Sequence, residues 1–134
     1  MLEPETALVY TMVLVSAADG NMTDSELAQI GDIVRTLPAF RDYEHKRLTT
    51  EARACAETLA GDHGLDHVLD QIVTALPSRL AETAYAVACD VAAADQKITQ
   101  EEARLLEMLR HALEIDRLCA AAIERGARAR HQTV

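Results

Sequence analysis

The chain has 134 residues, a formal net charge of −9 and an apolar share of 49%, enough to bury a core as one domain without disulfides or a structural metal. That charge excludes binding led by phosphate neutralisation, because nucleic acid and anionic membranes are held by clustered Lys and Arg. Ala, Leu, Val and Ile supply most of the apolar content, with no Trp and one Phe, Phe40, and Ala and Leu favour helices because they lose little rotamer freedom there.

Periodicity and punctuation predict an all-α chain of about seven helices in a compact bundle, one domain over residues 1–134. The first helix, residues 5–18, is apolar all round: Leu8, Met12 and Val15 lie on one side, Val9, Val13 and Ser16 on the flank. A helix without a polar face belongs at the centre of a fold. Asp19, Gly20 and Asn21 break it. Thr23 with Glu26 three residues on is a capping-box pattern, so a second helix starts near Asp24, buries Leu27, Ile30, Val34 and Leu37, and stops at Pro38.

Residues 41–60 are rich in charge, and Thr49 and Thr50 ahead of Glu51 predict a split into a short and a longer helix. A turn at residues 61–64 leads to an amphipathic helix over 65–76, buried through Leu65, Leu69, Ile72 and Leu76 and closed by Pro77. Ser78 is read as the cap of a second central helix reaching residue 94, with Leu80, Ala84, Val87 and Val91 on one face and Tyr85, Ala88 and Cys89 on the other. Asp95, Gln96 and Lys97 break that helix. Thr99 and Glu102 repeat the capping box, and Leu106, Leu109 and Leu113 carry the buried stripe of a sixth helix. A last helix over 116–128 ends in Arg125, Arg128, Arg130 and His131, cations that suit the negative end of its dipole.

Cys55, Cys89 and Cys119 are odd in number, far apart and set in apolar stretches, which predicts core fillers in a reducing cytoplasm instead of a disulfide framework or a zinc site. Glu3 and Glu5 stand where a secretory signal would carry positive charge, and no apolar run approaches the ~18 residues needed to cross a bilayer, so no direct membrane insertion is expected. His63 and His67, four apart with Asp62, Asp66 and Asp70 nearby, offer a possible zinc face, but no matching ligand pair accompanies them and a solvated polar face is expected.

An internal repeat is the most informative feature. An offset of 76 positions pairs Val15 with Val91, Ala17 with Ala93, Ala18 with Ala94, Asp19 with Asp95, Thr23 with Thr99 and Glu26 with Glu102, all identical. The repeat spans roughly residues 5–37 and 79–113, and its two polar-faceless helices are expected to pack together about an approximate two-fold axis, bringing the two turns to related positions.

The stretch Ala17-Ala18-Asp19-Gly20-Asn21-Met22-Thr23-Asp24-Ser25-Glu26, with a degenerate copy at Ala93-Ala94-Asp95-Gln96-Lys97-Ile98-Thr99-Gln100-Glu101-Glu102, resembles the signature of the TerB family of tellurite-resistance proteins. The resemblance implies a helical, non-enzymatic interaction module in tellurite, metal or stress resistance, working beside calcium-binding and membrane-embedded components. It also implies a divalent-cation site (Ca²⁺, Mg²⁺ or Mn²⁺) at Asp19, Glu26, Asp95 and Glu102. Gln96 in place of Gly20, beside Lys97, departs from a symmetric pair of sites.

The residues themselves leave two readings of the four carboxylates: oxygen ligands of a hard cation, or turn-closing and capping groups alone. An EF-hand is excluded, because its first and third ligand positions would be Val15 and Ala17. Rival functions are a metal-assisted hydrolase using the same carboxylates and a structural helical domain that forms a homodimer. The hydrolase lacks a Ser/His/Asp set, a phosphate loop or a cofactor fingerprint.

Overall fold

The computed structural model describes residues 1–17, 22–94 and 97–134. Among them lie seven α-helices and no strand: α1 (Pro4–Ser16), α2 (Asp24–Thr36), α3 (Leu48–Ala60), α4 (Gly64–Ala75), α5 (Ala81–Ala93), α6 (Gln100–Ala112) and α7 (Arg117–Arg130). Seven helices are present in the predicted order, without the short helix expected at the start of residues 41–60.

α1 is the centre. Pro at its first position pre-sets the helical φ without sacrificing a hydrogen bond, since that amide has no intrahelical partner. Every residue from Thr6 to Ser16 is buried. Leu8, Val9, Met12 and Val13 are fully enclosed, each contributing roughly 1.5–3 kcal/mol of burial. Of its buried polar side chains, Thr11 is satisfied within the helix, its Oγ1 donating to the Ala7 carbonyl at 2.8 Å, four residues back.

α5 is the second apolar helix, buried through Ala84, Tyr85, Val87, Ala88, Cys89, Val91 and Ala92, and it packs directly on α1. Around this pair, α3 and α4 cover α1, α7 covers α5, and α2 and α6 bridge the two. One continuous apolar cluster runs from Leu8 through Ile30, Cys55, Ile72 and Ala88 to Leu109 and Ala127. Leu105 belongs to it as well as Leu106 and Leu109, so the buried stripe of α6 is wider than the sequence pattern marked.

Two predicted helix entries differ from the structure. Residues 41–60 do not divide at Thr49 and Thr50; 3₁₀ turns at Pro38–Phe40 and His45–Arg47 precede α3, which the second enters directly at Leu48, leaving both threonines exposed in its first turn. Leu48 is buried where a threonine cap would need a polar edge, and core packing decides the boundary. Ser78 makes no cap hydrogen bond either: it opens a 3₁₀ turn, Ser78–Leu80, behind an extended Pro77, and α5 begins at Ala81.

The α3–α4 joint depends on close backbone approach. His63 adopts a left-handed φ of 54°. At Gly64 an added Cβ would sit 2.3 Å from the Thr58 carbonyl oxygen, so only glycine fits there. The same geometry removes the His63/His67 zinc face, because His63 precedes α4 and both side chains are exposed.

Candidate functional site

The two predicted capping boxes form in full. Thr23 Oγ1 accepts from the Glu26 amide at 3.1 Å while the Glu26 carboxylate accepts from the Thr23 amide at 2.8 Å. Thr99 and Glu102 repeat this at 3.1 and 2.9 Å. Each box satisfies two of the amides that a helix start leaves without partners. α2 and α6 have 13 residues each, and their bounds differ by the same 76 positions as the sequence repeat (24 to 100, 36 to 112).

The units also touch reciprocally. Gln29 Nε2 donates to the Asp90 carbonyl at 3.4 Å, joining the second turn of α2 to the last turn of α5. Leu105, in the second turn of α6, lines a small cavity with Leu14 and Ala17 at the end of α1. Gln29 and Leu105, and likewise Leu14 and Asp90, are equivalent under the 76-residue offset. The described flanks of both turns therefore lie at one end of the α1–α5 pair.

Of the four acidic positions, Glu26 and Glu102 are described and sit in their boxes; Asp19 and Asp95 lie outside the described residues. Among the described residues no group of three or more His, Cys, Asp or Glu side chains is arranged to hold a metal ion. Each box glutamate commits one carboxylate oxygen to a backbone amide, and the other takes no hydrogen bond from a described residue. Ser16, in the last turn of α1, has a buried hydroxyl with no hydrogen-bond partner among the described residues. A buried hydroxyl left without a partner costs about 1–3 kcal/mol, and a helical serine ordinarily avoids that by bonding back one turn. These are oxygen donors, the type a hard cation takes.

Two further carboxylates organise the halves, and sequence patterning marked neither for that role. Glu51 of α3 accepts from Thr6 Oγ1 at 3.1 Å, from the Tyr43 hydroxyl at 2.6 Å and from Arg47 Nη2 at 2.7 Å, and Arg47 also reaches Glu3 at 3.2 Å. Burial and this carboxylate push the Tyr43 hydroxyl pKa well above its usual value. Asp90 accepts from Arg130 Nη2 at 2.6 Å, with His131 Nε2 at 3.4 Å. The basic tail thus ties the end of α7 to α5, where its sequence suggested only a dipole partner. An i, i+4 spacing of Arg47 and Glu51 was the available signal for the first cluster; Asp90 and Arg130 are 40 positions apart and gave none.

The cysteines are poor nucleophiles. Burial raises the Cys55 and Cys89 thiols to about 12 each, and hydrogen bonding to the Asp116 carboxylate raises Cys119 to about 11. All three are unpaired, Cys55 and Cys89 buried and Cys119 half-buried. His111 is exposed beside Arg110.

A separate opening with an apolar floor lies between α6 and α7 over α5. It encloses about 680 Å³, with Tyr85, Cys89, Leu106 and Ala127 in its lining and Arg110, Arg117, Arg128 and His131 among its polar groups. Tyr85 donates its hydroxyl to Glu124 at 2.6 Å along this wall. No helix among the described residues is long and apolar enough to cross a membrane.

Neither the curated proteins nor the solved structures yield a match to the chain. A family comparison does: the model described as "Tellurite resistance protein TerB" matches residues 5–125. With nearly the whole chain covered, and with the all-helical order and paired capped turns already in view, the protein belongs to the TerB family.

Proposed function

We propose that this protein is a non-enzymatic, cytoplasmic interaction module of a tellurite, metal or stress-resistance system, whose turn-bearing end is set by a divalent cation. Asp19, Glu26, Asp95 and Glu102 are the proposed ligands, with Ca²⁺, Mg²⁺ or Mn²⁺ as the ion. Its partners are other proteins, membrane-associated resistance components included, and not nucleic acid. The observation that carries the cation reading is the reciprocal contact of the two capped units, Gln29 with Asp90 and Leu105 beside Leu14, which sets both turn flanks at one end of the bundle. Supporting it, each box glutamate has one carboxylate oxygen, and Ser16 its hydroxyl, without a hydrogen-bond partner among the described residues.

Clustered carboxylates repel, and a cation between them removes that repulsion, so binding and stability are linked. Calorimetric titration with the three ions is expected to give heat for the native chain and none for the Asp19→Ala/Asp95→Ala double variant. Silence from all three ions with the native chain sinks the cation. Affinity capture from a native lysate, with and without chelator, tests the module: partners retained only with cation join the two halves of the reading, and turnover in a metal-replenished hydrolase screen that is lost in Glu26→Gln replaces it with the hydrolase.

A further inference from the structure

The cleft over α5 is a vacancy in one half at a place where the other half is filled by its own chain. In the first half, the 3₁₀ turns Pro38–Phe40 and His45–Arg47 contact α2, and Leu48 Cδ2 lies 3.7 Å from where a Cβ on Gly31 would be. Ile30 and Val34 are fully buried beneath that cover. The equivalent positions on α6 are Leu106, Glu107 and Arg110, and all three line the cleft. The link from α6 to α7 has only residues 113–116, too short to supply an equivalent plug, and α6 and α7 each pack on α5 but hardly on one another. Ile98, at the cleft mouth, is 50% exposed.

Charge narrows the occupant. On a chain of net charge −9, this lining gathers Arg110, Arg117, Arg128 and His131 against Glu107 and Glu124, and Glu124 already accepts the Tyr85 hydroxyl. The guanidinium groups of Arg117 and Arg128 are exposed and have no ion pair or hydrogen bond among the described residues. Long-range repulsion from the acidic remainder is screened beyond roughly 8 Å at physiological ionic strength, so the local arginines decide what seats there. A groove between two diverging helices with an apolar floor suits an amphipathic helix, its apolar stripe inward and its flanks on the rim. We propose that the α5–α6–α7 cleft receives an acidic amphipathic helix of a partner protein, with Arg117 and Arg128 pairing its carboxylates.

This rests on the interaction-module reading and assigns it a surface distinct from the acidic turns. The test uses a fluorescein-labelled helical peptide of about four turns, with Leu and Phe at i, i+3, i+4 and i+7 and Glu on the flanks, beside a twin carrying Lys for Glu. Fluorescence anisotropy with the full chain is expected to show the Glu peptide binding at least ~10-fold tighter than its twin, and Arg117→Glu/Arg128→Glu reversing that order. Ala103→Phe, an exposed cleft position, is expected to weaken the Glu peptide without altering the circular dichroism.

Equal binding of the two peptides, or binding indifferent to both variants, overturns the proposal. So does a concentration-dependent dimer that disappears in the Arg117→Glu/Arg128→Glu chain, which makes a second copy the occupant, and so does displacement of the Glu peptide by octanoate at equal concentration, which makes the cleft a small-anion site. A lysate partner held equally by the native and double-variant chains removes the cleft and leaves the module standing; loss of every partner with the Glu peptide still bound does the reverse.

Discussion

α2, with Ile30 and Val34 buried, is contacted by the 3₁₀ turns Pro38–Phe40 and His45–Arg47 and by Leu48, whereas the matching face of α6, with Leu106 and Arg110, borders an open cleft. Both halves begin alike, with a buried central helix and a capped second helix of equal length. They part at the third element. In the first half Glu51 gathers Thr6, Tyr43 and Arg47, and the Arg47 guanidinium also lies over the Tyr43 ring at 5.3 Å from its centre. In the second, the Asp90 carboxylate holds the end of α7 through Arg130 and His131. One half is locked by a carboxylate with three donors; the other keeps a surface. Duplication preserved the turn grammar and freed one copy's outer elements to differ.

The largest expected effect breaks the locked half. Glu51→Ala leaves the buried Thr6 and Tyr43 hydroxyls without their acceptor, and two orphaned buried hydroxyls cost about 2–6 kcal/mol. Urea denaturation monitored by circular dichroism measures it. Glu51→Gln, which keeps an acceptor oxygen, is expected to recover a substantial part. A loss below 0.5 kcal/mol for the alanine variant, an order-of-magnitude bound for surface changes, contradicts the lock.

Next comes a property the halves share. Cys55 and Cys89 are both raised from 9.0 to about 12 by burial. The unfolded thiol therefore ionises first: stability is complete below pH 9, and is lost as pH rises from 9 toward 12, because the unfolded chain then holds fewer protons. At pH 10 each thiol accounts for a loss on the order of 1 kcal/mol. Comparing unfolding free energies at pH 7.5 and pH 10 under reducing conditions, Cys55→Ala and Cys89→Ala should each flatten the decline by a similar amount. The buried tyrosines, also raised, steepen the fall above pH 10 in every variant.

How far the fold can be read from residues follows from where its determinants lie. The apolar faces of α1 and α5 and the Thr-to-Glu spacing are local patterns, and both were legible. The entry to α3 was not, because Leu48 is buried by tertiary contacts that override the threonines beside it. The roles of Glu51 and Asp90 were not legible, since each has a key partner remote in sequence: Thr6 is 45 positions from the first and Arg130 is 40 from the second. At the acidic turns Glu26 and Glu102 were legible as capping groups, while Asp19 and Asp95 lie outside the described residues. The cleft had no pattern at all, because it arises from the shortness of one loop relative to its counterpart.

The capping boxes sharpen the comparison at about 1 kcal/mol. Thr23→Ala and Thr99→Ala remove chemically identical caps with nearly equal bond lengths, so chelated protein should lose the same stability from each. Added cation is expected to separate them, because Gly20 and Gln96 make the two turns unequal. Matching losses with and without Ca²⁺, Mg²⁺ or Mn²⁺ argue that both boxes are capping devices alone.

The smallest effect concerns the looser half. Arg130 is 55% exposed and Asp90 22%, so solvent screens their pair and Asp90→Asn should cost only about 0.5 kcal/mol in global stability. Its local signature is larger than its global one. With the Arg130 and His131 contacts weakened, the last turn of α7 loses its tie to α5, and amides from Ala127 to His131 should exchange faster with solvent while those of α1 are unchanged. Hydrogen exchange resolves the two. Uniform acceleration across α1 and α7 means that Asp90 supports the shared core, and the contrast between a locked and a loosely tethered half then fails.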